Sequence, residues 1–532
     1  MKENKKEYKY KEYIANVMPC IFYGVVCGVL TGAFTFFFKV AARWAEEISR
    51  WVYSASRGSW IWVSAVFCGL VLFGSCMALL HKKLPEVKGG GIPRSEGVLR
   101  GVLSFKWLRT LVGTFVGSMM SYVCGAPLGS EGPAVLMGTA IGGMCGSISR
   151  NRSTWSRYVM TGGAGAGFAV ATGSPFSGIL FALEEIHKRF TPMLVLMVSV
   201  SVVSATSVNR LLCSLFGMSA DLFDFGSLPP LELGQIGYLL ICGLLIALGV
   251  GIFDGSIALF GRLTARLKKY VDGYVKTVAV FVITGLLGFL FTDAVYSGHD
   301  VIHHVTENNR TVIYLAVLVA VRLIMMLLIT DSGVTGGIFI PTLAIGALIG
   351  ALIAKLLVLM GMPPETFPVI VILSTCGFIG GTLRAPLTAT VLFVELSGSA
   401  ENLFFAALVV FTVNAVVALL NQTPFYDMAL EKMEEAQNRG RQPVIAYFEM
   451  RVSKGAFVIG KTVRDIMWPA SAVVTGVTRA DEAEEDMDHD GEKKLLEGDT
   501  VILRAKFYDE EEIRSLLCGL VGKDHEIIRK EI

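Results

Sequence analysis

Between residues 14 and 420 this chain keeps returning to apolar runs about as long as a bilayer is thick. Among them are Ile14–Val40, Trp60–Leu80, Met193–Leu215, Ile236–Leu259 and Val312–Ile329. A helical crossing of a hydrocarbon core needs roughly 20 apolar residues, so the pattern reads as a polytopic helical membrane protein. Charge agrees: 17% of the 532 residues are charged, against about 25% in soluble domains, and mean hydropathy is +0.59. The basic N-terminus runs into the first apolar run without a small-residue cleavage pattern, so no cleavable leader is expected. Net charge is only +2, which gives no footing for nucleic acid. Basic residues cluster at Lys2–Lys11, Lys82–Arg109, Arg150–Arg157, Lys188–Arg189 and Arg262–Lys276, whereas Gly217–Glu232 and Ser297–Asn309 carry neither Lys nor Arg. The positive-inside rule therefore places the first set, and both termini, in the cytoplasm. The ten cysteines are scattered without paired spacing and read as small core residues.

The chain carries an internal repeat. Gly129–Gly142 reads GSEGPAVLMGTAIG and Gly337–Gly350 reads GIFIPTLAIGALIG, sharing Gly, Pro, Gly and Gly at the same spacing. Ser174–Glu184, SPFSGILFALE, matches Ala385–Glu395, APLTATVLFVE, with Pro second and Glu eleventh. The two offsets, 208 and 211 residues, indicate duplication. The first-half copies lead into basic segments; the second-half copies lead into MGMPPET and SGSAEN, which have none, although Lys355 lies just before the first. The copies are thus expected to end on opposite faces, as inverted repeats do, with a substrate site near the midplane on broken helices.

Four Gly- or Pro-marked helix starts are candidates for that site: GGGIP (Gly89–Pro93), GSEGP (Gly129–Pro133), GGIFIP (Gly336–Pro341) and the start at Pro424 before Tyr426. A helix N-terminus presents N–H donors and the positive end of its dipole, so several together hold an anion without a full cationic charge. Glu131, inside one of these starts, is readable as a tethered competitor for the anion that leaves when protonated. A capping carboxylate at an interface is the alternative reading. Glu184 and Glu395 match across the repeat and are expected to be structural, bonding helix-start amides in each half. Glu185 has no counterpart, since Leu396 stands there. Such an acid is either a proton port or a solvated charge at a helix end.

These residues resemble the CLC family of chloride channels and chloride/proton exchangers over roughly residues 15–435. GGGIP resembles the family's GSGIP, GSEGP its G(K/R)EGP, GGIFIP its GGxFxP, and Tyr426 its anion-binding tyrosine. The resemblance implies an all-α membrane fold with broken helices. It implies a homodimer with one anion pathway per subunit, set in a bacterial cell membrane. An anion would then lie among Gly90, Gly91 and Ile92, the amides of Ile338 and Phe339, and the Tyr426 hydroxyl. Glu131 matches the gating glutamate and Glu185 the internal proton glutamate of the exchangers. Two residues depart from the pattern. Gly90 stands where the family has serine, removing a hydroxyl donor, so a weakened preference for chloride over nitrate-like anions is expected. Ser130 replaces a basic residue, so a weaker external anion field is expected. The fluoride-exporting branch, altered at the Glu131, Glu185 and Tyr426 positions, fits poorly.

The domains are read as a transport domain over 1–433, a charged linker over 434–451 and a soluble tail over 452–522. In the tail VIAYFEMRV, SAVVTGVTR and DTVILRAKF read as strands, and VIGKTVRDI and DEEEIRSLLCGLV as short helices, giving a small α+β domain. The order resembles the TrkA C-terminal (RCK-associated) domain, which implies regulation by dimerisation or a small-molecule ligand. Asp481–Glu492 is acidic but lacks the sixth-position glycine of a calcium loop and reads as a solvated hairpin tip. His303 and His304 read as exposed polar residues.

The function expected is exchange of chloride or a similar monovalent anion for protons, with no cofactor. The alternatives are a passive channel, distinguished by absent proton coupling, and a cation-transport component, suggested only by the tail. No carbonyl or acidic filter of the kind potassium pathways use stands in the sequence. Nothing in it resembles a nucleotide loop or a nucleophile–base pair, so no enzyme is expected.

Overall fold

The computed structural model describes residues 2–148, 152–220, 222–223, 225–267, 272–308, 310–421, 423–438, 440–479, 491–522 and 525–531. The first apolar runs become α1 (Lys2–Ser56) and α2 (Trp60–Lys83). The first broken-helix half follows as α3 (Ile92–Arg100), α4 (Trp107–Val123), α5 (Glu131–Ile148), α6 (Arg152–Thr172), α7 (Pro175–Phe181) and α8 (Pro192–Phe216). Then come α9 (Ile236–Leu267), α10 (Gly273–Leu290), α11 (His299–Thr306) and α12 (Val312–Ser332). The second copies are α13 (Phe339–Leu359), α14 (Phe367–Leu383) and α15 (Pro386–Ser397), followed by α16 (Leu403–Leu419) and α17 (Phe425–Gln437). Among the described residues, eight helices are long and apolar enough to cross a membrane. Trp60, Ile61 and Leu72 of α2 are largely exposed, as a lipid-facing helix requires. Inside, small residues let helices touch. A Cβ added to Gly138 of α5 would lie 2.1 Å from the Gly163 carbonyl oxygen of α6, and the converse holds, the close approach typical of membrane helix pairs.

The two halves grip each other through equivalent residues. The Glu184 carboxylate accepts hydrogen bonds from Leu387 N at 3.0 Å, Thr388 N at 2.7 Å and Thr388 Oγ1 at 2.7 Å. The Glu395 carboxylate accepts from Phe176 N and Ser177 N at 2.8 Å each, and from Ser177 Oγ at 2.5 Å. Both carboxylates bond helix-start amides, as expected of the pair, and each does so across the repeat, capping the helix start of the other half. The copies also end on opposite faces. The chain beyond α7 reaches Arg189, which donates to the tail carbonyl of Ile466 at 3.4 Å. The chain beyond α15 reaches Asn402, which holds Pro229 and Leu231 in the loop that follows α8, on the far side.

The tail is a four-stranded antiparallel sheet in the order β2-β3-β1-β4, with β1 (Val444–Arg451), β2 (Ala472–Thr478), β3 (Thr500–Phe507) and β4 (His525–Glu531). It packs with α18 (Glu510–Val521) around Phe448, Val501, Leu503 and Leu517. Three readings change. VIAYFEMRV, read as a strand, is β1 over Val444–Arg451, although the span drawn as linker took it in, and α17 runs to Gln437 into the beginning of that span. VIGKTVRDI forms no α-helix, only a 3-10 turn over Val463–Asp465, because Gly460 takes a left-handed φ of 79° and Thr462 is extended. β4 lies beyond the expected boundary at 522. Of the acidic stretch Asp481–Glu492, residues 481–490 lie outside the described residues; Glu492 pairs with Arg464.

The tail is seated on the membrane body. Arg157 of α6 is buried and donates to the Leu99 carbonyl at 2.8 Å and to the tail carbonyl of Met467 at 3.0 Å. Ala470 N donates to Arg100 O at 2.9 Å. Phe457 meets the rings of Trp155 and Tyr158 with centroids 5.6 and 6.0 Å apart. One basic side chain thus ties α3, α6 and the tail together.

Candidate functional site

The repeat axis passes through the site. Gly129 N donates to Gly337 O at 2.6 Å and Gly337 N donates to Gly129 O at 2.8 Å, an antiparallel bridge between equivalent residues. The third Gly-rich segment joins them, since Gly89 N donates to Gly333 O at 2.9 Å. Ser121 Oγ donates to Thr335 O at 2.6 Å and the Tyr122 hydroxyl to Gly129 O at 2.7 Å. The starts of α3, α5 and α13 are therefore brought together, and their first-turn N–H groups lack helical acceptors.

Glycine identity follows from this crowding. Gly91 has φ 84°, and a Cβ there would lie 2.4 Å from Gly132 O. A Cβ on Gly132 would lie 1.9 Å from Gly90 O. Gly90 differs: a Cβ there meets nothing nearer than Ile338 Cγ1 at 3.4 Å, an ordinary contact. Serine thus fits at 90 and not at 91.

Of the expected anion-binding residues, Ile92, Ile338 and Phe339 are buried. Ile338 borders Gly90, and the Phe339 ring stands edge-on to Phe168 at 5.1 Å. Tyr426 is 1% exposed on the first turn of α17 and lies within electrostatic range of Glu185, Glu131 and Glu96. Glu131 begins α5 and is 0% exposed. Its Oε1 accepts from Ser130 Oγ at 3.1 Å, while Oε2 has no hydrogen-bond partner among the described residues. A capping carboxylate at an interface would be wet; this one is fully buried, and only one of its oxygens is bonded among the described residues.

Glu185 lies in a π-helical turn over Ala182–Ile186 and is 2% exposed, with Oε1 lacking a partner among the described residues. It is not the solvated helix-end charge that its place beside His187 and Lys188 permits. Beside it is a charge cluster that reading the sequence missed. Glu96 of α3, 0% exposed, accepts from Arg100 at 2.9 Å and pairs with Lys188 at 3.2 Å. Asp427 of α17 pairs with the same Lys188 at 2.7 Å. The available signals were a Glu four residues after Ile92, between Arg94 and Arg100, and an Asp directly after Tyr426. Neither shows, without the fold, that both meet residue 188.

The profile of the family described as Voltage gated chloride channel matches residues 73–418. The H(+)/Cl(-) exchange transporter ClcA of Salmonella schwarzengrund is 27% identical over 427 residues, 78% of this chain and 89% of that one. ClcA of Salmonella typhimurium is 27% identical over 444 residues, 80% and 92% of the two chains. The crystal structure of a slow cyanobacterial Cl-/H+ antiporter superposes with a TM-score of 0.70 at 25% identity, covering 79% of this chain and 99% of that one.

Proposed function

This chain belongs to the voltage gated chloride channel (CLC) family, and on that premise we propose that it exchanges chloride or a similar monovalent anion for protons. The observation that carries the reading is the pair of buried carboxylates, Glu131 and Glu185, each with an oxygen lacking a partner among the described residues and both within electrostatic range of Tyr426. A buried carboxylate without partners is costly in its ionised form. Two of them along one path suit a protein that moves protons. The relatives named as chloride/proton exchangers support this reading over a passive channel.

In this reading the anion rests among the N–H groups at the starts of α3 and α13, near Gly90, Gly91, Ile92, Ile338 and Phe339, with the Tyr426 hydroxyl donating. Glu131, when ionised, takes the same donors and excludes the anion; when protonated, it withdraws. Glu185 loads protons from the tail side, which is the cytoplasmic side. The protein works as a homodimer with one pathway in each subunit. The tail acts as a regulatory domain of the TrkA C-terminal kind. A cavity of about 450 Å³ at its junction with the membrane body, walled by Arg189, Arg464, Trp468 and β2, is where a small-molecule ligand would act.

The test is reconstitution in liposomes with a chloride gradient and no proton gradient, recording external pH. Uphill proton movement is expected; chloride flux without it would make the protein a channel. Gly90→Ser adds a hydroxyl at a position with room for it. A hydrogen bond to a charged group contributes roughly 1.5–3 kcal/mol, and strongly hydrated chloride gains more from it than nitrate. The chloride-to-nitrate transport ratio is therefore expected to rise about tenfold, read from parallel uptake assays; an unchanged ratio removes Gly90 from selectivity. Gly91→Ser, which overlaps the Gly132 carbonyl, is expected to prevent assembly.

A further inference from the structure

On the face away from the tail, a vestibule of about 490 Å³ leads to the Glu131 site, lined in part by Lys39, Arg43, Glu46, Tyr122, Ser130 and Asn209. Its position follows from α6, which meets the tail at Arg157 and reaches the vestibule wall at Val170, about 20 Å further along at 1.5 Å per residue. Lys39 Nζ donates to Val170 O at 2.9 Å. The ammonium is thereby fixed at the C-terminal end of α6, where the helix dipole favours a cation. Lys39 is half-buried within the long apolar α1, a place where an ionisable residue signals function.

The charges around it are unequal partners. Arg50, also on the vestibule wall, is engaged by Asp300 at 2.6 Å and lies over the Tyr296 ring at 4.2 Å. Glu46 is near Arg50 and Ser297. Lys39, Arg43 and Glu46 share this one cavity with Ser130, the residue next to the Glu131 gate. The residue beside Glu131 in sequence, Ser130, brings only a hydroxyl.

We propose that Lys39 is the cation that draws the transported anion into this vestibule and delivers it to the Glu131 gate, standing in from α1 for a positive charge that position 130 does not carry. The expectation of a weakened external field, drawn from Ser130 alone, is revised accordingly: the charge is supplied from another helix. Lys39 is a positioning residue whose effect falls on anion capture and not on the proton path. This inference rests on the anion-exchange reading above.

The experiment measures anion uptake from the face away from the tail, in vesicles depleted of outward-facing tails by capture on a C-terminal tag. Ionic strength is held constant with gluconate. A cleft charge raises local counter-ion concentration about tenfold or more. Lys39→Met is expected to raise the apparent KM for chloride about tenfold with little change in kcat, and Lys39→Arg to keep it low. Ser130→Lys in the Lys39→Met background should restore most of the loss, and the difference should shrink at high ionic strength as screening takes over. Should Lys39→Met not assemble, Ser130→Lys in the native chain still serves, and is expected to lower KM. A fall in kcat with KM unmoved, or a KM indifferent to the charge at 130, would overturn the inference by making Lys39 a structural anchor. Native protein that takes up neither chloride nor nitrate would overturn the anion-exchange reading itself, and this inference with it.

Discussion

Glu131→Gln is expected to leave a protein that still passes chloride or nitrate but moves almost no protons, and Glu185→Gln to do the same for a different reason. Both amides match the carboxylate in shape, and both positions are fully buried, so packing is preserved while the exchangeable proton is lost. A positioned acid–base group contributes 10²–10⁴-fold to proton transfer; the proton-to-anion ratio should therefore fall by roughly 100-fold in each variant. The two are separated by pH. At 131 the neutral amide no longer competes for the donors at the helix starts, so anion flux loses its dependence on external pH. At 185 the gate is intact, and anion flux keeps that dependence. Paired chloride-efflux and pH-electrode records read both quantities in one preparation. Undiminished proton movement in Glu185→Gln would reduce that residue to a buried neighbour of the Glu96–Lys188–Asp427 cluster.

Glu395→Gln should be the most destabilising conservative substitution in the membrane body, matched by Glu184→Gln. Each carboxylate accepts three hydrogen bonds from a helix start in the opposite half. An amide offers one acceptor oxygen and turns an NH₂ donor toward the remaining donors. With charge-assisted bonds contributing roughly 1.5–3 kcal/mol each, the loss is about 3 kcal/mol or more. Thermal unfolding in detergent, followed by size-exclusion peak height, should show clear and similar drops for the two variants. The double variant should depart from additivity, because both bond sets join the same pair of packed helices, α7 and α15. A drop in only one would mean that the geometric symmetry of the halves is not an energetic one.

Much of this could be read before the fold was known, and the limits are physical. Long apolar runs specify helices by length alone, and α2, α8 and α12 begin where their runs begin. The starts of α3, α5 and α13 were legible because glycine and proline mark backbone that side chains cannot occupy or continue. The match of Glu184 with Glu395 revealed a shared role. Its partners stayed hidden, because a repeat does not say whether equivalent residues bond within a copy or across copies. Ser177 and Thr388, both hydroxyl residues three positions after the motif begins, were the overlooked sign. Glu96, Asp427 and Lys39 escaped notice for a different reason: each gains its meaning from a residue 90 or more positions away. In the tail, β1 was read as a strand, yet the linker drawn to 451 took in all of it, since pairing with β3 and β4 is what makes it part of the tail domain.

The exchange of carboxylates between the halves also bears on how the chain is made. When the ribosome has released α7 into the membrane, Phe176 and Ser177 present amides whose acceptor, Glu395, is more than two hundred codons away. The first half therefore waits, incompletely bonded, until the second has been inserted in the opposite sense. Only then do both helix starts close in one step. A product truncated before α15 would leave the Phe176 and Ser177 amides without the acceptor that the complete chain gives them.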